Sequence, residues 1–238
     1  MQQSHQISTS DIFSAVYANN VWGGSLGEFY SGKGSDNTLS RAYCEFIADF
    51  VAKNSVEDIK IVDLGCGDFR VGQQLLQKLA ASEIKYQYTG VDIVPELIEN
   101  HQRKYANKDI NFVSLNLIEE DLPQGNICLI RQVLQHLSNQ DVKRILDKVS
   151  QYKYVFITES HPVNKLNCIP NLDITTGADI RLLYNSGVFL DKEPFNLTGV
   201  ELVLTTPYHE DACLYDKQSQ LCTFKIENTS NSQESTIS

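Results

Sequence analysis

Three acidic side chains stand where the sequence predicts two neighbouring strands to end. Asp63 lies near the end of the β-branched run of residues 60–64, Asp68 follows this run in the stretch Gly-Cys-Gly-Asp, and Asp92 ends a second run at residues 86–92. Ligands of open parallel sheets bind outside the carboxyl ends of the strands, so we expect these carboxylates to share one site. Gly65 and Gly67 let the backbone approach a ligand without an intervening Cβ.

Two adenosine cofactors bind loops of this kind, a nicotinamide or flavin dinucleotide and S-adenosylmethionine. The dinucleotide fingerprint is G-x-G-x-x-G, but the third glycine position here is Arg70. Asp68 stands where a pyrophosphate would meet the N-terminus of the following helix, and a carboxylate there repels phosphate. S-adenosylmethionine carries an ammonium and a sulfonium and no phosphate. The loop therefore favours S-adenosylmethionine, and a nicotinamide-dependent oxidoreductase is the rival from another class.

The elements that must position this loop alternate between strands and helices. Such alternation predicts an α/β fold with a mostly parallel sheet and helices on both faces. Helices are expected near residues 11–18, 38–52 and 95–105, after residue 70, and through the apolar pattern from Val133 to Leu146. The predicted strands cover residues 60–64, 86–92, 110–115, 127–130 and 154–158, followed by an antiparallel hairpin of residues 201–205 and 221–226.

The chain divides into a core and flanking segments. Residues 1–55 are expected to form N-terminal helices and a Gly-rich lid loop between Trp22 and Ser35, which contains glycines that permit closure. Residues 56–226 form the predicted core, in which residues 160–198 are the expected substrate loop. The Ser/Thr/Asn-rich residues 227–238 are expected to be a disordered tail, and the first ten residues have a similar composition.

The composition narrows the choice of partner. The chain has 238 residues, 42% of them hydrophobic, and a formal net charge of −10. That charge disfavours nucleic acid and anionic membrane surfaces, so we expect a small-molecule acceptor. No apolar run is long enough to span a membrane, no signal peptide is evident, and the six cysteines lack metal-site spacing. A cytoplasmic protein with reduced thiols and no metal is expected.

Three motifs together resemble one superfamily. VDLGCGDF, GVDIVPELI and LIRQVLQHLS resemble the class I (Rossmann-like) S-adenosylmethionine-dependent methyltransferases. The stretches VWGGSLGEFYSGKGSDN and NLDITTGADIRLLYNSGVFLDKEPF resemble a bacterial subgroup that acts on small molecules and surface glycans. The resemblance implies a seven-stranded sheet in the order 3-2-1-4-5-7-6, with strand 7 antiparallel. It also implies S-adenosylmethionine as cofactor and S-adenosylhomocysteine as product.

The expected cofactor residues lie at the ends of the first four strands. Asp92 would accept hydrogen bonds from the ribose hydroxyls, and Ile93 would cover an adenine face. Asn116, where many members of the family have Asp, and Leu117 would lie beside the adenine. The resemblance places Asp63 near the methionine ammonium. The full predicted set is Asp63, Gly65, Gly67, Asp68, Asp92, Ile93, Asn116, Leu117 and Arg131.

The expected chemistry lies after the fourth and fifth strands. His136 has the pKa range of a proton acceptor near neutral pH, although a histidine packed on a helix face would look the same. Arg131 would hold an anionic group, and His161 is the third catalytic candidate. The residues expected to bind substrate are Tyr30, Lys33, Glu159, His161 and Arg181. Solvated loop positions and ion pairs are the alternatives for this last set.

The functional hypothesis is methyl transfer to a small polar acceptor. By analogy with the resembled subgroup, we expect O-methylation of a sugar-linked, nucleotide-linked or phosphoramidate-type precursor of a surface glycan. The alternatives are a methyltransferase for a natural product, a protein or RNA, and a non-catalytic partner that binds S-adenosylmethionine. A homodimer or a complex with a paralogue is also expected.

Overall fold

A seven-stranded sheet forms the centre of the computed structural model, which describes residues 7–54, 58–208 and 219–228. The strand order is β3-β2-β1-β4-β5-β7-β6, and β7 is antiparallel to both of its neighbours. The other pairings are parallel, so the predicted order and direction of the strands are confirmed. The strands are β1 (Ile59–Leu64), β2 (Tyr86–Asp92), β3 (Ile110–Ser114), β4 (Ile127–Arg131), β5 (Tyr154–Pro162), β6 (Val200–Tyr208) and β7 (Ser219–Glu227).

Five α-helices flank the sheet in the described part of the chain. They are α1 (Thr9–Ala18), α2 (Asn37–Lys53), α3 (Arg70–Ala81), α4 (Pro95–Tyr105) and α5 (Asn139–Lys148). The helical pattern from Val133 to Leu146 divides into a 3-10 turn, Leu134–His136, and α5. The division occurs because the Ser138 side chain accepts a hydrogen bond from the Asp141 amide and caps α5.

The two faces of the sheet carry separate hydrophobic cores. Along β4, Cys128 and Ile130 pack on the face that α1 and α5 cover, while Ile127 and Leu129 pack on the face that α2 and α3 cover. Successive side chains of a strand point to opposite faces, so a strand buried on both sides reads as a continuous apolar run. This is why the parallel strands were recognisable in the sequence.

Strand β5 is longer than the sequence pattern predicted. We expected it to end at Thr158, but it continues to Pro162 because β7 pairs with it along its whole length, up to Pro162 opposite Ser219. Glu159 and His161 are therefore buried strand residues, and the expectation that they begin a solvated or pocket-lining loop is wrong.

The N-terminal segment packs over the carboxyl edge of the sheet. Ser10 donates a hydrogen bond to the Ile93 carbonyl at 3.1 Å, and the Trp22 indole donates to the Ala178 carbonyl at 3.3 Å. Helix α1 begins at Thr9, within the first ten residues, whose composition is similar to that of the expected disordered tail, whereas residues 1–6 and 229–238 lie outside the described residues. No helix in the described ranges is long and apolar enough to cross a membrane.

Candidate active site

One cavity lies at the carboxyl edge of β1, β2 and β4, beneath the N-terminal segment. It includes about 1100 Å³ of space together with its open mouth. Ten of the residues predicted from the sequence line it: Asp63, Gly65, Gly67, Asp68, Asp92, Ile93, Asn116, Leu117, Arg131 and His136. The strand ends therefore bring together all of the predicted cofactor residues and two of the three catalytic candidates.

The loop after β1 contains two glycines in left-handed backbone conformations. Gly65 has a φ of 78° and Gly67 a φ of 52°, which residues with a Cβ rarely adopt. A Cβ at Gly65 would collide with Val133, and one at Gly67 would collide with the Ser31 hydroxyl. The glycines are therefore required by close packing within the protein, in addition to any approach of a ligand.

Asp92 fixes that loop from the end of β2. Its carboxylate accepts hydrogen bonds from the amides of Gly67 and Val94, both at 3.1 Å. The residue is only 8% exposed, and burial raises the pKa of its carboxyl group. A carboxylate in this position has remaining acceptor capacity toward the cavity and gains from a donor or cation placed there.

Asp63 is a second buried carboxylate, located at the end of β1. It accepts a hydrogen bond from the Tyr88 hydroxyl at 2.6 Å, and burial raises its pKa to about 6 while the charge of Arg131 acts against that rise. The Arg131 guanidinium lies 5.4 Å from the ring centre of Tyr43, which also lines the cavity. The buried Tyr43 hydroxyl makes no hydrogen bond within the described structure, so it is available to a ligand.

Asp68 binds the Gly-rich segment of residues 22–35. Its carboxylate accepts hydrogen bonds from the Ser31 amide at 3.0 Å and from the Ser35 hydroxyl at 2.7 Å. It also accepts from the Arg70 amide at 3.1 Å, and its own amide donates to the Ser31 hydroxyl at 2.8 Å. The carboxylate is thus largely satisfied by the protein, although it borders the cavity.

Arg70 stands where the dinucleotide fingerprint has its third glycine. Its side chain also helps to hold the Gly-rich segment of residues 22–35 in place. Its guanidinium pairs with Glu28 at 2.6 Å and Asp36 at 3.5 Å, and it lies 4.9 Å from the ring centre of Tyr30. The Tyr30 hydroxyl donates to Asp36 at 3.1 Å. Tyr30 and the exposed Lys33 therefore belong to the outer side of the segment and do not line the cavity.

Asn116, Leu117 and Ile93 form the side of the cavity where adenine was expected. The Asn116 amide oxygen accepts a hydrogen bond from the Ile118 amide at 3.0 Å, which closes a turn after β3. A carbonyl oxygen has two lone pairs, so one remains for a ligand. Ile93 and Leu117 supply apolar surface beside it.

Aromatic side chains of the N-terminal segment form a wall of the cavity that was not predicted from the sequence. Phe13 and Tyr17 lie one turn apart on α1, and both line the cavity together with Trp22. The Tyr17 hydroxyl is 2.7 Å from the Ser31 hydroxyl, and its ring centre is 5.4 Å from that of Trp22. The signal that could have revealed the wall is the pair of aromatic residues four positions apart, on one face of the predicted helix.

His136 occupies the 3-10 turn that follows β4. Its side chain is half-buried, and its Nδ1 atom is shielded from solvent without a hydrogen bond. Burial lowers its pKa to about 4, and the neighbouring backbone of Gly177, Ala178 and Asp179 offsets part of that shift. The imidazole is therefore neutral at pH 7, but its pKa lies below the near-neutral range expected from the sequence, so it is a weaker proton acceptor than expected.

Three other predicted residues are buried outside the cavity. His161 packs between Phe189 and Phe224, with ring centres 4.5 Å and 5.5 Å away, and burial lowers its pKa to about 4. Glu159 and Arg181 are fully buried and contact the backbone of the turn that carries His136. The structure does not bring these three side chains to the position expected for substrate contact.

Comparisons with known proteins agree with this arrangement. Residues 62–152 match a family model described as a methyltransferase domain. No curated protein matches the sequence. The matched range runs from the second half of β1 through α5 and contains every expected cofactor residue.

Several solved structures share the fold at low identity. The magnesium protoporphyrin IX methyltransferase ChlM from Synechocystis PCC 6803, with bound S-adenosylmethionine, is 13% identical over 94% of this chain and 100% of that chain, with a TM-score of 0.53. Coclaurine N-methyltransferase, bound to N-methylheliamine and S-adenosylhomocysteine, is 12% identical over 94% and 83%, with a TM-score of 0.53. The [4+2]-cyclase SpnF is 14% identical over 92% and 95%, with a TM-score of 0.51. The chain thus has the fold of the class I S-adenosylmethionine-dependent methyltransferases.

Proposed function

We propose that this protein is an S-adenosylmethionine-dependent methyltransferase that acts on a small polar acceptor. The observation that carries the proposal is the pair of buried carboxylates, Asp63 and Asp92, on one cavity at the ends of adjacent strands. Burial disfavours their charged forms, so a ligand with a cation and hydroxyl donors stabilises them. S-adenosylmethionine offers both, and the matched family model and bound ligands of the similar structures support this choice.

The same geometry disfavours a dinucleotide. A pyrophosphate would need the free amides at the N-terminus of α3. The Asp68 carboxylate already accepts from the Arg70 amide, which is the first amide of that helix. A phosphate placed beside Asp68 would be repelled by it.

The residues present fit the proposed cofactor. Asp92 would accept from the ribose hydroxyls, Ile93 and Leu117 would enclose the adenine, and Asn116 would meet its edge. Asp63 would face the methionine ammonium, and the unpaired hydroxyl of Tyr43 supplies a polar group at that end of the cavity. When bound, S-adenosylmethionine supplies an activated methyl group.

His136 is the proposed proton acceptor for the methylated hydroxyl. It lines the cavity and is neutral at pH 7 because burial lowers its pKa. A hydroxyl that gains a methyl group must release its proton, and a neutral imidazole within reach can take it. Arg131, also on the cavity, supports an acceptor with an anionic group.

Fewer observations support the identity of the acceptor than support the cofactor. Because of the sequence resemblance, we keep the expectation of O-methylation of a sugar-linked, nucleotide-linked or phosphoramidate-type compound. Because the cysteines lack metal-site spacing and are expected to be reduced, we keep the cytoplasm as the proposed location. An acceptor of moderate size is consistent with a cavity in which the N-terminal segment lies over the strand ends.

Calorimetry with S-adenosylmethionine, S-adenosylhomocysteine and NAD tests the cofactor. We expect both adenosyl ligands to bind and NAD to give no signal, and NAD binding alone would overturn the proposal. A panel of nucleotide sugars and phosphorylated metabolites, assayed for formation of S-adenosylhomocysteine, tests the reaction. Adenosyl binding without product from any acceptor would favour a non-catalytic partner or another reaction, since a cyclase shares the fold.

A further inference from the structure

The turn that carries His136 is held by a buried carboxylate on its amide side. The Glu159 carboxylate accepts hydrogen bonds from three consecutive amides, those of Val133 at 3.2 Å, Leu134 at 2.9 Å and Gln135 at 3.1 Å. Glu159 has no exposed surface and lies in β5, the strand next to β4. The contact therefore attaches the turn to the rigid sheet.

A buried guanidinium holds the carbonyl side of the same turn. Arg181 donates to the carbonyl of Leu134 at 2.9 Å and to that of Leu137 at 2.7 Å. It also donates to the Asn139 side chain at 2.9 Å and to the Leu172 carbonyl at 3.1 Å. Arg181 has no exposed surface, and the negative charge of Glu159 supports its charged form against burial.

The turn has little internal support of its own. Within it, the His136 amide donates to Val133 and the Leu137 amide to Leu134, both at 3.1 Å. Bonds of this 3-10 type have poor geometry and rarely hold a segment alone. Glu159 and Arg181 together make seven hydrogen bonds to the turn and to the segments beside it. The turn itself makes only the two 3-10 bonds.

Three residues of this segment face the cavity, whereas the two charged residues do not. Val133, His136 and Leu137 line the cavity, and Glu159 and Arg181 form hydrogen bonds with the backbone of this segment. Burying a pair of charges is costly, and well-packed apolar residues often stabilise a fold equally well. The advantage of the two charged residues here is geometric, because their charge-assisted hydrogen bonds define the position of each amide and carbonyl that they contact.

We propose that Glu159 and Arg181 are positioning residues that set the place of His136 by holding both sides of its turn. The catalytic consequence rests on the proposed function, because it requires His136 to accept the proton. The placement itself does not depend on the cofactor or on the acceptor.

Trp22 provides a readout that needs neither ligand nor turnover. It is the only tryptophan of the chain, and its ring centre lies 5.0 Å from that of His136. If Glu159 acts through the turn, Glu159→Gln and Arg181→Lys will shift Trp22 emission in the wild-type background. In a His136→Ala background the same substitutions will produce a much smaller shift, because the contact they displace is gone.

Kinetics provide the second readout, once an acceptor is known. We expect Glu159→Gln to lower kcat by about 10- to 100-fold, the loss typical of a misplaced catalytic group, with the acceptor KM changed by less than about threefold. In His136→Ala the further loss from Glu159→Gln should be less than about threefold, because residues that act as one unit are not additive. Glu119→Gln and Arg103→Lys, at exposed positions, are the matched controls.

Asn139→Ala keeps the experiment decisive if the buried variants fold poorly. It removes one acceptor of Arg181 and leaves both charges in place, so we expect a smaller emission shift in the same direction. Folded variants with wild-type emission and kcat, or losses that add fully to that of His136→Ala, would overturn the positioning role. Failure of every adenosyl ligand to bind would instead overturn the proposed function, and the emission experiment would still decide this inference.

Discussion

The indole ring of Trp22 lies against the imidazole of His136, with ring centres 5.0 Å apart and planes inclined by 46°. Trp22 belongs to the Gly-rich segment, and His136 belongs to the turn after β4. The contact therefore joins the N-terminal segment, which lies over the cavity, to the residue proposed to accept a proton. It also brings an aromatic wall and a titratable group to the same part of the site.

Asp92→Asn tests the expected ribose contact. Loss of a charged acceptor should weaken S-adenosylhomocysteine binding by about 1–3 kcal/mol, measured by calorimetry. Asp92→Ala should have an effect at least as large, because it also releases the amides of Gly67 and Val94. Asp109→Asn, on an exposed loop, is the matched control, and unchanged affinity in both Asp92 variants would show that Asp92 does not bind the ribose.

His136→Ala tests the proton acceptor. We expect kcat to fall by about 10²- to 10⁴-fold, the usual contribution of a general base, while S-adenosylhomocysteine affinity stays close to that of the wild type. Because burial lowers the pKa of His136 to about 4, the imidazole stays neutral from pH 6 to 8. Wild-type activity in the variant would leave His136 with a packing role only.

Gly65→Ala tests the close approach of the loop to Val133. The substitution should reduce the free energy of unfolding by more than about 1–2 kcal/mol, the cost of a left-handed residue with a Cβ, because it adds a collision. Gly199→Ala is the matched control, since Gly199 has a φ of 71° with open space around it. In a Val133→Ala background, Gly65→Ala should cost less unfolding free energy than in the wild type, because the collision is gone. Denaturant unfolding measures both costs, and equal costs would contradict the collision.

The pH dependence of stability tests the buried state of Glu159. Burial raises its pKa to about 7 in the folded protein, so the folded state binds a proton that the unfolded chain has released. The contribution of Glu159 to the free energy of unfolding should therefore fall by about 0.5–1 kcal/mol between pH 6.5 and 8, measured as the difference between the wild type and Glu159→Gln. Glu159→Gln should remove most of this fall.

The sign of the pH dependence separates Glu159 from the buried histidines. His136 and His161 have pKa values lowered to about 4, so their effect has the opposite sign and stability is lost as the pH falls from about 6.5 toward 4. Their unfolded pKa is about 6.5, so each still raises the free energy of unfolding by about 0.4 kcal/mol between pH 6.5 and 8, and comparison with Glu159→Gln cancels this contribution. Equal slopes for the wild type and Glu159→Gln in urea unfolding would contradict the raised pKa.

The sequence predicted the sheet and a set of residues that line the cavity well because those features are local. Strands buried on both faces read as apolar runs, and Asp63 and Asp92 stand at the ends of two of them. The positions of Tyr30, Glu159 and Arg181 could not be predicted because they depend on distant partners. The length of β5 is determined by β7, and Arg181 is buried by carbonyls more than 40 positions away along the chain.

The attachment of the Gly-rich segment to Asp68 has a kinetic consequence. Ser31 and Ser35 bind that carboxylate, while Tyr17 and Trp22 of the N-terminal segment border the cavity. Movement of this segment away from the cavity would require those hydrogen bonds to break. If product release requires that movement, the hydrogen bonds of Asp68 to the protein will lengthen the residence time of the product and lower the maximum turnover rate.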